Sequence, residues 1–374
     1  MTDASHLISA VESRIKDVRT RSQDLSFNEL FNMYRENDLQ IRPEYQRLFR
    51  WDRGKESRFI ESLLLEMPVP PIFVIEDSLG RYELIDGLQR MSTYLHFRGE
   101  LEAPQVSVAK GDELELVDCD IVRELDGLTY KNLPTALEIK LKRHFIRVEV
   151  IRKESDPRLR YHMFKRLNTG GEQLTDQEVR NCTIRMLDAR FIEFIAEKAK
   201  NQDFQLCIAP VTDDARSKLY DQELVLRFFA FRNDRARYKH EVGEFMTEYM
   251  ERVAAGDEPF DYGEQEVAFD KTFRLLARTL GENSFARVHP TAGTFVQQFS
   301  SYHYEAFTLG LQPVLAALSE EEPGALGRLK HTLNAIKQDA QFQAIARSGG
   351  KNFAGPLNER IAFVESRVRA VFPQ

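Results

Sequence analysis

"IFVIEDSLGRYELIDGLQRMSTYLHFRG", residues 72–99, decides how the chain is read. It opens with an apolar run, turns at Gly80 and resumes as a second apolar run, which predicts a β-hairpin. The second run ends on Asp86-Gly87. Beyond it Met91, Tyr94 and Leu95 recur at helical spacing until Gly99 closes the period. A strand that becomes a helix through Asp-Gly presents the free N–H groups of a helix N-terminus, a setting suited to phosphate. Gly87 lets the backbone approach a ligand closely. Arg90, one turn in, offers a planar fork to phosphate oxygens, and Gln89 can donate and accept hydrogen bonds. Asp86 can hold a divalent cation or orient a water through it. The same letters also read as plain structure, with Asp86 as an N-cap and Arg90 as a solvated helix residue.

Outward from this junction, "SFNELFNMY" places Ser26 three residues before Glu29, a capping-box spacing that predicts a short lead-in helix. "RGKESRFIESLLLEMP" predicts a second helix, stopped by Pro68, Pro70 and Pro71. Residues 100–144 are too polar for a central strand and too long for a simple loop. "FIRVEVIR" then alternates Ile146, Val148 and Val150 with Arg147 and Glu149, as a half-exposed strand does. Residues 156–182 read as helix, loop, helix, broken at "NTGG", with Thr175 and Glu178 forming a second capping box. From about residue 186 onward the β signal disappears and apolar residues recur three or four apart, so an α-helical bundle is expected.

A length of 374 residues favours two domains, expected at 1–185 and 186–374. A net charge of -7 argues against indiscriminate coating of nucleic acid and leaves room for a local basic groove. Cys119, Cys182 and Cys207 form no CxxC pair; they read as reduced packing residues of a cytoplasmic protein, with no zinc-ligand spacing. The N-terminus lacks a signal-peptide core, and no window approaches the length of a membrane span. His144 and His162 have no partner at metal-ligand spacing. Phosphate-loop, HExxH, GxSxG and His-Asn-His patterns are all absent, which speaks against a P-loop ATPase and a zinc hydrolase.

Two further segments carry candidate groups. Asn168, Thr169, Gly170 and Gly171 can turn backbone amides toward an anion as a nest, or simply cap a helix. "YQRLFRW" supplies Gln46, Arg47 and Arg50. Its Trp51 is the sole tryptophan of the chain, either a core anchor or a surface on which a base or arginine stacks.

In their order, "YQRLFRW", "PVPPIFV", "LIDGLQRMSTYL", "LTYKNLP", "FKRLNTGGEQLTDQEVRNC" and "NERIAFVESRV" resemble the ParB/sulfiredoxin-like domain at the N-terminus of GmrSD-type restriction proteins. The likeness is best over residues 24–185. It implies an α+β fold: a ParB/sulfiredoxin-like nucleotide-binding domain followed by a mostly α-helical domain. It also implies a place in a prokaryotic system that restricts modified or invading DNA, with nucleoside-triphosphate hydrolysis attributed to a DGQQR box. Carried over, that box is Asp86, Gly87, Leu88, Gln89 and Arg90. Leu88 replaces the first glutamine, which makes hydrolysis less secure than binding.

The implied roles are catalysis by Asp86 and Gln89, metal binding by Asp86, and phosphate binding by Gln46, Arg47, Gly87, Arg90, Asn168, Thr169, Gly170 and Gly171. The implied cofactors are Mg²⁺ and a nucleoside triphosphate of unknown base. DNA and a separate nuclease or other defence subunit are the further partners, because no HNH-type nuclease segment is seen in residues 186–374. A non-hydrolysing nucleotide switch or a DNA-binding adaptor is the alternative, and a nicking enzyme using Asp86 and Glu83 with a metal ranks last.

Overall fold

Ser26 accepts a hydrogen bond from the Glu29 N–H at 3.1 Å and starts the lead-in helix where the capping-box spacing predicts it. The structure is a computed structural model of the chain. Its description covers residues 7–8, 11–12, 19–41, 49, 51–103, 107–155, 163, 175–185, 187–239, 241–288, 294–318, 322, 324–346 and 353–373. Two compact units divide after residue 174, whereas the sequence reading places the boundary after residue 185.

The first unit is built on a mixed five-stranded sheet. Its elements run β1 (Thr20–Ser26), α1 (Phe27–Arg35), β2 (Leu39–Gln40), α2 (Arg53–Leu64), β3 (Ile72–Glu76), β4 (Tyr82–Asp86), α3 (Leu88–Phe97), α4 (Thr135–Arg143) and β5 (Phe145–Ile151). The strand order is β1-β5-β3-β4-β2. The expected hairpin is the antiparallel pair β3/β4, and β5 pairs parallel to β3 and antiparallel to β1. Strand β1 was not anticipated. "TRSQDLS" carries one apolar residue, and an edge strand needs only backbone pairing on one side.

Opposite Phe73 and Val74 the register slips, leaving Ile85 as the extra residue of a β-bulge. Leu84 and Ile85 are consequently both buried, and Asp86 emerges half-exposed at the strand's end. Helix α2 ends at Leu64, ahead of the prolines, with Glu66 in the left-handed region at φ 58°. A buried contact of 2.8 Å between His96 Nδ1 and Glu56 Oε1 ties α3 to α2. The long polar stretch is pinned from the same helix. The buried Glu61 carboxylate accepts from the N–H groups of Asp120, Ile121 and Val122 at 3.2, 2.9 and 2.6 Å. Burying a carboxylate this way is tolerable because backbone donors replace its water.

The second unit is mostly helical. It comprises α5 (Asp176–Ile184), α6 (Ala189–Lys198), α7 (Gln202–Cys207), α8 (Asp213–Ser217), α9 (Tyr220–Asp234), α10 (Val242–Ala254), α11 (Tyr262–Thr279), α12 (Ser301–Gly310), α13 (Ala325–Gln338), α14 (Ala340–Ile345) and α15 (Ala354–Val371). Thr175 and Glu178 form the reciprocal capping box that the sequence predicts for α5. One departure from the helical reading is the hairpin of β6 (Ala286–Val288) and β7 (Phe295–Phe299). Its strands are too short to establish a period of two.

Buried charges in this unit are paired or caged. Glu305 accepts from Arg227 at 2.9 Å and from Arg360 at 2.8 Å, all three being largely withdrawn from water. Lys337 differs: fully buried, it donates to the carbonyls of Asn283 and Ala286 at 2.9 and 2.7 Å. Burial pushes its ammonium down to about 7.

A lysine depressed from its unfolded value penalises the native state fully below the folded pKa, and the penalty fades as pH rises towards the unfolded pKa. Relative to Lys337→Met, wild-type stability should therefore rise between pH 7 and 9, by up to about 1.4 kcal/mol per pH unit. Urea midpoints of the two proteins across that window measure the difference. Parallel curves would mean that the ammonium stays charged.

Candidate functional site

The β4-to-α3 junction is shaped by a residue without a side chain. Gly87 sits at φ 101°, in the left-handed region, and occupies the N-cap position of α3 with no side-chain cap. A Cβ at 87 would overlap Ile72 Cγ2 and lie 2.9 Å from Ile72 Cβ. The protein itself therefore requires glycine here, apart from any ligand. Asp86 is not the N-cap of the plain reading. Instead Asp86 Oδ2 accepts from Arg90 Nη2 at 3.1 Å, and the same Nη2 donates to the Pro71 carbonyl at 3.0 Å.

This clip joins the last residue before β3, the end of β4 and the first turn of α3. Asp86 is 32% exposed and Arg90 16%, so the pair is only partly solvated. Arg90 Nε is buried and has no hydrogen-bond partner. Three residues further along α3, on the face that Arg90 shares, Thr93 Oγ1 is also buried without a partner. A threonine inside a helix reads as packing, so nothing in the sequence singled it out.

Gln89 is engaged as well, accepting from the Trp51 N–H at 3.3 Å. The contact brings the end of the "YQRLFRW" segment to the box. Trp51 packs its ring edge-on against Phe59 at 5.7 Å, which favours the anchor reading over stacking on a ligand. Leu88, where the resembling pattern has glutamine, is half-exposed in the first helical turn. Gln46, Arg47, Asn168, Thr169, Gly170 and Gly171 lie outside the described residues, as do Arg50 and His162.

The other candidates resolve into structure. His144 is half-buried, and burial lowers its pKa. Cys119 and Cys207 are buried thiols that desolvation pushes up to about 12, the reverse of an activated nucleophile. The side chain of Cys182 is outside the described residues. Among the described residues no group of three or more His, Cys, Asp and Glu could hold a metal ion. Mg²⁺ often takes only one or two carboxylates and completes its shell with phosphate and water. Asp86 thus fits a Mg²⁺ that arrives with a phosphate, and does not fit a protein-built cage. No helix among the described residues is long and apolar enough to cross a membrane.

The site and its setting are those of a mixed α/β domain with a strand-Gly-helix junction that no side chain caps. Residues 27–185 match the family described as the GmrSD restriction endonuclease, N-terminal domain. Over these residues the chain is similar to a GmrSD-type N-terminal domain, which suggests a restriction- or defence-related protein. No curated protein and no solved structure matches the chain.

Gly87→Ala should destabilise the first unit by about 2–4 kcal/mol, combining a positive-φ penalty with overpacking against Ile72. Ile72→Ala in the same background should recover part of the loss beyond simple additivity. Denaturant titrations of the single and double variants read the coupling. Additive losses would show that the two residues do not meet.

Proposed function

We propose that the GmrSD-type domain binds the phosphates of a nucleoside triphosphate at the Asp86-to-Arg90 box. The observation that carries this reading is the helix N-terminus at Gly87, which no side chain caps, with the Arg90 guanidinium one turn away holding a buried, unpartnered Nε–H. A phosphate there gains the helix dipole and a charge-assisted donor. Asp86 works against an anion unless a cation intervenes. Mg²⁺ on the carboxylate oxygen that Arg90 leaves unused would neutralise the clash between carboxylate and phosphate. Arg47 stands four residues before Trp51 in the sequence, an extended reach of about 14 Å, and together with Asn168 to Gly171 completes the proposed clamp.

Turnover would require Asp86 and Gln89 to orient a water. Both are already engaged, Asp86 by Arg90 and Gln89 by Trp51, and Leu88 brings no amide. These contacts favour a second reading, a nucleotide-controlled switch that binds without efficient hydrolysis. In a restriction setting the output of either would reach DNA or a separate nuclease subunit.

Titration with the four nucleoside triphosphates, with and without Mg²⁺ and DNA, tests the proposal. Arg90→Ala should weaken binding roughly 10- to 100-fold, with Arg90→Lys in between, because a lysine keeps the charge and loses the fork. Asp86→Asn should remove the Mg²⁺ dependence and lower any turnover more than binding. Leu88→Gln should raise turnover at unchanged affinity if the chain is a switch. A wild type that binds no nucleotide under any of these conditions reduces the box to a structural clip.

A further inference from the structure

A concave feature lined by none of the box residues lies in the first unit. Helix α4 buries Leu141 and turns Ala136, Ile139 and Arg143, spaced three and four apart, to its outer side. Facing them are Met67 and Pro68 beyond the end of α2, and Phe145, the first residue of β5. Together they line a groove of about 670 Å³. Its apolar members are unusually open to solvent: Phe145 is 67% exposed, Ile139 42% and Met67 38%. Clustered exposed apolar side chains of this kind mark interaction sites.

The lip is cationic. Lys140 lies 3.7 Å from Glu66, whereas Arg143 makes no ion pair among the described residues. His144 adds no charge at neutral pH, since burial lowers its pKa. Nearby Lys142 and Arg147 are committed to Glu138 and Asp24. One guanidinium is thus left over beside an apolar trough, on a chain whose net charge is -7.

We infer that this groove docks a short segment of a partner protein, presenting two or three apolar side chains and a carboxylate that pairs with Arg143. The trough holds a few side chains, whereas a stable dimer buries about 800 Å² per partner, so a peptide fits better than a second copy. One unpaired cation is too few for a nucleic-acid surface, which needs several phosphate contacts. The inference stands independently of the nucleotide reading.

Fluorescence anisotropy of the full chain with a labelled amphipathic peptide of Leu, Phe and Glu, about twelve residues long, tests it against a twin in which Lys replaces Glu. The acidic peptide should bind saturably and at least about tenfold more tightly than the basic twin. Ile139→Ser and Phe145→Ser should each weaken it about tenfold. Arg143→Glu should weaken it about fivefold, with that loss shrinking in high salt. Unchanged thermal melts exclude misfolding, and Ile139→Ser serves alone if the strand variant proves unstable. Equal binding of the twins, indifference to these substitutions, self-association abolished by Ile139→Ser, or duplex DNA binding lost in Arg143→Glu would each overturn the proposal.

Discussion

The absence of a side chain at residue 87 is the constraint on which the candidate site rests. Ile72 begins β3 and fills the space where a Cβ of residue 87 would lie, so β3 and the start of α3 approach closely only because that atom is missing. The left-handed turn then directs the chain from sheet to helix within one residue. The bulge at Ile85 precedes it and brings Asp86 out of the buried alternation. Strand pairing, turn and helix start are thus set by three successive residues.

Arg90 converts this backbone geometry into a charged site. Its Nη2 spans Asp86 and the Pro71 carbonyl, holding the three elements at the junction, while its Nε is left without a partner. A buried donor without a partner costs free energy, and under the proposed reading a phosphate oxygen would recover it. Gln89 bonded to Trp51 couples the same turn to the segment leading into α2, and the buried His96–Glu56 contact reinforces the coupling one face further round. The packing of α2 against α3 and the proposed site therefore share groups.

The helical unit handles charge differently. Glu305 between Arg227 and Arg360 is a compact pair-and-a-half in which Coulomb attraction offsets desolvation. Among the described residues Lys337 donates to carbonyls and forms no ion pair, with its ammonium 5.0 Å from the centre of the Phe307 ring. Dipoles stabilise an ammonium less than a carboxylate does, so burial pushes this one down to about 7.

Local signals were legible in the sequence because their causes are local. Ser26 and Thr175 cap helices through partners three residues away, and the apolar runs on either side of Gly80 pair across a tight turn. The strand-Asp-Gly-helix junction and the helical period of most of the second half needed nothing more distant. Strand β1 was illegible because an edge strand of polar residues is defined by its partner β5, more than a hundred residues later. Helix α4 was hidden by charged residues that give it two different faces. The roles of Asp86 and Arg90 were readable only as alternatives. Sequence determined that a carboxylate, an amide and a guanidinium would gather at one helix start; tertiary structure alone decided their partners, because the Pro71 carbonyl and the Trp51 amide lie 19 and 38 residues away and meet them only when sheet and helices pack.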